Sequence, residues 1–164
     1  MSIRNAAKAL IIDNGKMLAV KCQNSIGEML SGLPNGAIYY DLPGGGQNQY
    51  ETLEEAVKRE CLEETGHTII VERLAAIYEE ISTNEEYRAK WGDYAHKVHF
   101  LFVCQIIDKS ANPLPETDFD MLEPEWIDIA SIKSDFPLYP RIIRDNLEQV
   151  LMSEHVLYLG SEHV

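Results

Sequence analysis

The stretch LPGGGQNQYETLEEAVKRECLEETGH, residues 42–67, joins three consecutive glycines to a segment that reads as a helix. Thr52 followed by Glu55 is a capping box, in which each side chain satisfies the other residue's backbone N–H. Leu53, Ala56, Val57 and Cys61 recur at helical spacing and form one apolar stripe, and Gly66 suits the C-terminal cap. The spacing therefore predicts a helix over 52–65. Its other edge is anomalous. Glu60, Glu63 and Glu64 fall within one turn of each other, where like charges repel by roughly 0.2–0.5 kcal/mol per pair. They also sit at the end where the helix dipole is already negative. Carboxylates so placed are stabilised by a bound divalent cation. All-oxygen donors with no His/Cys pair nearby favour Mg²⁺, with Mn²⁺ as a substitute.

The glycines add a second element. Gly44, Gly45 and Gly46 let backbone approach a ligand closely and are candidate phosphate-binding residues. No Gly-Lys-Ser/Thr follows them, and Gln49 breaks a G-x-G-x-x-G reading. The spacing is more specific than either feature. From Gly45 come five residues, Glu51, seven residues, Arg59-Glu60, two residues, Glu63-Glu64, one residue and Gly66. This resembles the Nudix box, whose fixed identities are all present; chance agreement at average residue usage is on the order of 10⁻⁸ per starting point. The departures are Cys61 and His67, which stand where the box has bulky aliphatics. YDLPGGG also resembles the family's lead-in.

The resemblance implies a Nudix-type α/β/α sandwich with a mixed β-sheet. It implies hydrolysis of a diphosphate linkage in a nucleoside diphosphate joined to some other group. Glu60, Glu63 and Glu64 carry over as metal ligands, and Glu51 and Arg59 as a support pair. In that pair a salt bridge from Arg59 to Glu51, or to a loop carbonyl, holds the glycine turn against the helix. The catalytic base stays open between Glu63 and the later acids Glu116, Asp118 and Asp120. A second reading, a catalytically silent nucleotide-sensing module on the same fold, would go with degraded box glutamates or an appended DNA-binding domain.

The rest of the chain is consistent with one domain over 1–164. Its length suits a single core, and 45 % hydrophobic with 25 % charged residues is an ordinary globular balance. A net charge of −13 repels phosphate backbones, so nucleic acid is not an expected partner, while a small phosphorylated ligand bound through a cation is compatible with it. Cys22, Cys61 and Cys104 lie in apolar surroundings without a CxxC and read as buried reduced thiols. No apolar run is long enough for a membrane span, and the opening residues lack a signal-peptide pattern, so the expected location is cytoplasmic.

Along the chain, Ala6–Ile12 and Met17–Lys21 are expected to form a hairpin about Asn14-Gly15. A short strand, 38–42, leads into the glycines. Strands are expected over 68–81, with a bend near Glu72-Arg73, over 96–107 as the central strand, and over 125–129. Residues 82–95 read as a polar loop in which Tyr87, Trp91 and Tyr94 either stack on a base or close the loop onto the core. A second helix is expected over 139–154, with Pro140 in its first turn and Ile143, Leu147, Val150 and Leu151 buried. His96 and His99, three apart on a strand, point to opposite faces and form no metal pair. The apolar VLYL of the tail is expected to add a strand, within the subunit or across a homodimer. Residues 81–83 carry neither the proline nor the tyrosine that marks some Nudix substrate classes, so the substrate is not fixed by them.

Overall fold

The computed structural model describes residues 2–27, 32–108 and 120–164. Strand β1 (Arg4–Asp13) turns at Asn14 and Gly15, both with positive φ, into β2 (Lys16–Gln23). The hairpin is short: only Ile12↔Met17 and Asp13↔Lys16 pair across it. The remainder of β1 leaves β2 and pairs in parallel with β6 (His96–Asp108), from Arg4↔Lys97 to Ile11↔Cys104. β1 thus joins the two halves of one mixed sheet, of order β3-β2-β1-β6-β5-β8. Here β3 is Ile38–Asp41, β5 is Thr68–Ile81 and β8 is Leu157–His163. β4 (Gly44–Gly46) branches off to pair with β1, and β7 (Met121–Asp128) pairs with β2.

Helices cover both faces. α1 (Leu53–Thr65) buries Ala56, Val57 and Cys61 against Ala7, Ala9, Ile11 and Phe102. α3 (Arg141–Met152) buries Ile143, Leu147 and Val150 against Leu10, Ala76, Tyr78 and Leu101. The alternation of β1 explains the division: odd residues face α1, and Leu10 faces α3. The expected α/β/α sandwich is therefore present, and β6, flanked by β1 and β5, is central to it.

Several expected elements differ in detail. Residues 82–95 are not simply a loop. They hold α2 (Glu85–Lys90), capped by Asn84 accepting from Tyr87 N, and a 3₁₀ turn over Gly92–Tyr94. Six residues are too few for an apolar stripe to register as a helical period. β7 begins four residues before the expected strand, because edge pairing with β2 extends it past the alternating part. Pro140 is the N-cap of α3 rather than a residue of its first turn. The bend in β5 is real: the register shifts between Val71 and Arg73.

The tail strand β8 lies within the subunit, parallel to β5 from Ala76↔Leu157 to Ile81↔His163. Leu157 and Leu159 pack on the core beneath α3. This accounts for the apolar VLYL without a second copy, although Val156 and Tyr158 remain exposed.

Candidate active site

The capping box forms as the sequence predicts. Thr52 Oγ1 accepts from Glu55 N at 3.2 Å, and Glu55 Oε2 accepts from Thr52 N at 2.8 Å. Gly66 closes α1 in the left-handed conformation, its N–H donating to Leu62 O. With both ends fixed and one stripe buried, the orientation of the acidic edge follows.

Arg59 is the centre of that edge. Its Nε donates to Glu51 Oε1 at 2.8 Å and its Nη2 to Glu51 Oε2 at 3.0 Å, a two-pronged pair. Nη2 also donates to Gly46 O at 3.1 Å. Both expected forms of the support pair are therefore present in one side chain. The guanidinium holds Glu51 below the usual carboxylate range, and Glu51 in turn raises the Arg59 pKa. Arg59 Nη1 further donates to Glu60 Oε1 at 2.7 Å and Glu63 Oε2 at 3.0 Å.

Glu64 turns elsewhere. Its Oε2 accepts from Gly44 N at 2.8 Å. Burial pushes its pKa up to about 8, against the opposing pull of Lys8 and the Gly44 N–H. Burial likewise raises Glu60, against the pull of Arg59. Among the described residues no three acidic, His or Cys side chains converge closely enough to grip an ion as they stand. The arrangement instead divides the three glutamates, two on Arg59 and one on β4.

The glycines form strand β4, paired with β1 from Ala6↔Gly46 to Lys8↔Gly44. The space a side chain would take is filled by the protein itself. A Cβ on Gly45 would stand 2.6 Å from the Glu60 carboxyl carbon, and one on Gly46 would strike the Arg4 guanidinium. At Gly44, φ is +129° and a Cβ would stand 2.8 Å from Lys8 Cα, against backbone. Close approach is what requires glycine here, and what approaches is α1 and β1.

Two charged residues of the site were not singled out from the sequence. Lys8, buried in β1, donates to Asp41 Oδ2 at 2.8 Å and to Leu42 O at 3.1 Å. Burial alone would lower its pKa, but Asp41 and Glu64 more than offset this and it stands above the usual lysine value. The available signal was a lone lysine inside the apolar run AAKALII. A buried cation needs a partner, and Asp41 just before the glycines is that partner.

Of the candidate bases, Glu63 stands on the site edge, bonded to Arg59. Asp120 caps Ser25 N at 3.2 Å and borders a separate depression with Gln23, Asn24, Asn35 and Gly36. Glu116 and Asp118 lie outside the described residues. His67 follows the C-cap of α1 and is part-buried, its backbone N–H donating to Thr65 Oγ1 at 3.3 Å. The aromatics of 82–95 engage the chain's own groups: Tyr87 packs on Trp91, Lys90 Nζ lies 4.2 Å from the Trp91 ring, and Arg4 lies over Tyr94. His96 approaches Glu79 at 3.4 Å, whereas His99 is buried on the face beneath α3.

A profile of the NUDIX domain matches residues 3–146. Among solved structures, the chain is similar to an ADP-ribose pyrophosphatase from Streptococcus suis 89-1591, at 18 % identity and a TM-score of 0.62, over 96 % of this chain and 99 % of that one. It is similar to a UDP-X diphosphatase at 20 % identity and a TM-score of 0.63, over 99 % of this chain and 68 % of the other. A MutT protein from Methanosarcina mazei Go1 matches at 20 % identity and a TM-score of 0.63, over 92 % and 96 %. No curated protein sequence matches. At these identities the likenesses carry the fold.

Proposed function

The chain belongs to the Nudix family, and on that premise we propose that it is a metal-dependent pyrophosphohydrolase. Its substrate in this reading is a small nucleoside diphosphate derivative, cleaved between two phosphorus atoms by water. The observation that carries the reading is the Arg59 fork, which locks Glu51, Glu60, Glu63 and the carbonyl of Gly46 into one rigid edge. Nothing in helix stability calls for it.

The donor set fits a hard divalent cation. The glutamates supply only oxygen, Glu60 and Glu64 are one turn apart, and burial outweighs the pull of Arg59 on the one and of Lys8 on the other. Glu60, Glu63 and Glu64 would hold Mg²⁺, or Mn²⁺ in its place; when bound, such an ion screens phosphate charge and acidifies water. The remaining work belongs to the chain. Arg59 and Glu51 keep the carboxylates oriented, β4 fixes the floor through Gly44 N, and Lys8 with Asp41 anchors the strand that leads into it. Glu63, on the open edge, is the candidate to accept the proton of the attacking water.

The test is a panel of nucleoside triphosphates, ADP-ribose, nucleotide sugars, dinucleoside polyphosphates and capped RNA, each with Mg²⁺ and with Mn²⁺. Hydrolysis of the best substrate in ¹⁸O-water should place one label on a phosphate product. A label found only on a sugar or acyl product excludes attack at phosphorus. Nucleotide binding with no turnover across the panel would point to the silent sensing module instead. A homodimer, proposed on the exposed Met152, Val156 and Tyr158 around the edge strand β8, is tested by light scattering at tens of micromolar, where a monomer refutes it.

A further inference from the structure

Where the start of β1 meets the turn from β4 into α1 lies an open depression of about 480 Å³, to which the hydrolysis above assigns no part. Arg4, Asn5, Gln47, Asn48, Glu51 and Asp93 are among the residues that line it. The charges of this lining do not balance. Glu51 is taken by both prongs of Arg59 and by Asn48 N. Asp93 Oδ1 accepts from Ser2 N at 3.4 Å. Arg4 has no such partner: among the described residues its guanidinium forms no ion pair and no hydrogen bond. The cations around it are matched, Lys8 with Asp41, Arg59 with Glu51, and Lys97, its register partner on β6, with Glu80. In a chain of 27 acidic and 14 basic residues, an arginine without a carboxylate is not explained by a shortage of acids.

The guanidinium is placed without being satisfied. Its Cζ lies 4.7 Å from the centroid of the Tyr94 ring, and it rests against Gly46, where a Cβ would strike it. A ring and a methylene hold the planar fork but accept none of its five N–H groups in line with a lone pair. β4 is a thin partition at this point. Glu60 packs on Gly45 and Arg4 on the next glycine, and successive Cα atoms are about 3.8 Å apart. The unpaired cation therefore stands beside the glutamate edge, on the neighbouring residue of the same strand.

The chemistry of the lining specifies what it takes. An arginine fork matches two oxygens of a phosphate group, which brings the negative charge that Arg4 lacks. Asn5, Gln47, Asn48 and Gln49 add neutral side-chain amides around it. Asn5 Nδ2 gives one of its two N–H groups to Gln47 Oε1 at 3.0 Å and has the other to offer. A nucleobase or an uncharged sugar would leave the guanidinium as it stands, without a counter-charge.

We propose that Arg4, with the side-chain amides of Asn5 and Asn48, forms a subsite for a phosphate group of the substrate that lies outside the cleaved linkage. The inference rests on the reading of the chain as a hydrolase of nucleotide substrates. It is tested on the full chain in EDTA by following amide chemical shifts during titration with inorganic pyrophosphate at constant ionic strength. Shifts should saturate at Arg4, Asn5, Gly46, Asn48 and Tyr94 with a dissociation constant of about 1 mM, and adenosine, the arm for base and sugar, should not move them. Arg4→Met should weaken pyrophosphate binding about tenfold, the worth of a hydrogen bond to a charged group, and Arg4→Lys about threefold, since a point charge replaces the fork. Gly46→Ala keeps the charge and displaces only the movable end of Arg4, so binding should weaken several-fold while the melting temperature stays near that of the parent. Lys16→Met, an equal loss of charge at the far end of the hairpin, should leave binding as it is. With Mg²⁺, Arg4→Met should raise KM for the best substrate about tenfold and change kcat less. No saturable shift at these residues, a loss in Lys16→Met equal to that in Arg4→Met, adenosine moving the same amides, or an unchanged KM would each overturn the proposal. Pyrophosphate binding at Arg4 with no turnover of any substrate refutes the hydrolase and leaves the subsite, and turnover without that binding refutes the subsite alone.

Discussion

Glu64→Gln separates the structural demands of the acidic edge from its chemical ones. In the parent, burial raises the Glu64 pKa from 4.5 to about 8. The sign follows from proton counting. Between these two values the unfolded chain has released the proton and the native one retains it, so stability falls as pH rises. The contribution is intact below pH 4.5, is mostly lost by pH 7, and is fully lost above pH 8. At 1.36 kcal/mol per pH unit the loss by pH 7 is about 3 kcal/mol, and somewhat less because the side chain is only partly buried. Glutamine has no such titration, and its oxygen still accepts from Gly44 N. Melts in EDTA from pH 5 to pH 9 should therefore show the parent declining and Glu64→Gln flat for this component, the variant being the more stable above neutrality. Millimolar Mg²⁺ should restore the parent, by about 2.7 kcal/mol at one hundred times its dissociation constant. The variant should recover much less, and its turnover on the best substrate should fall by orders of magnitude. Parallel pH profiles, a variant that melts lower than the parent at pH 9 in EDTA, or full activity would refute the account of this residue.

Three further outcomes are expected. Arg59→Lys cannot reproduce the fork to Glu51 and Gly46 O, so denaturant unfolding should show a loss of about 1–2 kcal/mol, tempered by partial exposure, with turnover reduced at least tenfold. Gly45→Ala meets only the movable end of Glu60 and should cost under about 1 kcal/mol in chemical denaturation, while Mg²⁺ affinity drops clearly; Gly44→Ala meets backbone at positive φ and should cost about 2–4 kcal/mol. The three thiols are buried, with pKa values raised chiefly by desolvation to about 12 for Cys22, 11 for Cys61 and 12 for Cys104, so a thiol-reactive disulfide reagent at pH 8 should label none in the native protein and all three in denaturant.

What was readable in the sequence was local. The capping box, the stripe and the Asn-Gly turn each concern residues within one or two turns of each other, and all formed where spacing put them. The Arg59–Glu51 pair was readable because its members stand eight positions apart in a known pattern. Lys8 and Asp41 were not, because their meeting depends on β1 pairing with the glycine strand, thirty-odd residues on. The packing around the glycines was hidden for the same reason: a triple glycine announces close approach but not what approaches, and Arg4 and Glu60 reach it only once β1 and α1 lie against β4. Glu162 is further still from legibility, since a residue of the tail completes a helix that begins at Arg141 only after β8 has docked beside β5.

The parallel pairing of β1 with β6 also governs how the molecule assembles. Arg4 to Ile11 must find Lys97 to Cys104, and everything between, including α1, hangs in the intervening loop until they do. Closure of so long a loop is paid for before any contact across it rewards the chain, which places this protein among slow, topologically nonlocal folders. The acidic edge of α1 has no floor until β4 lies on β1, and β1 has no firm place until β6 has arrived. Folding kinetics followed by tryptophan fluorescence and by recovery of Mg²⁺ binding should therefore show metal affinity returning with the slowest native phase, with no early species that binds the ion.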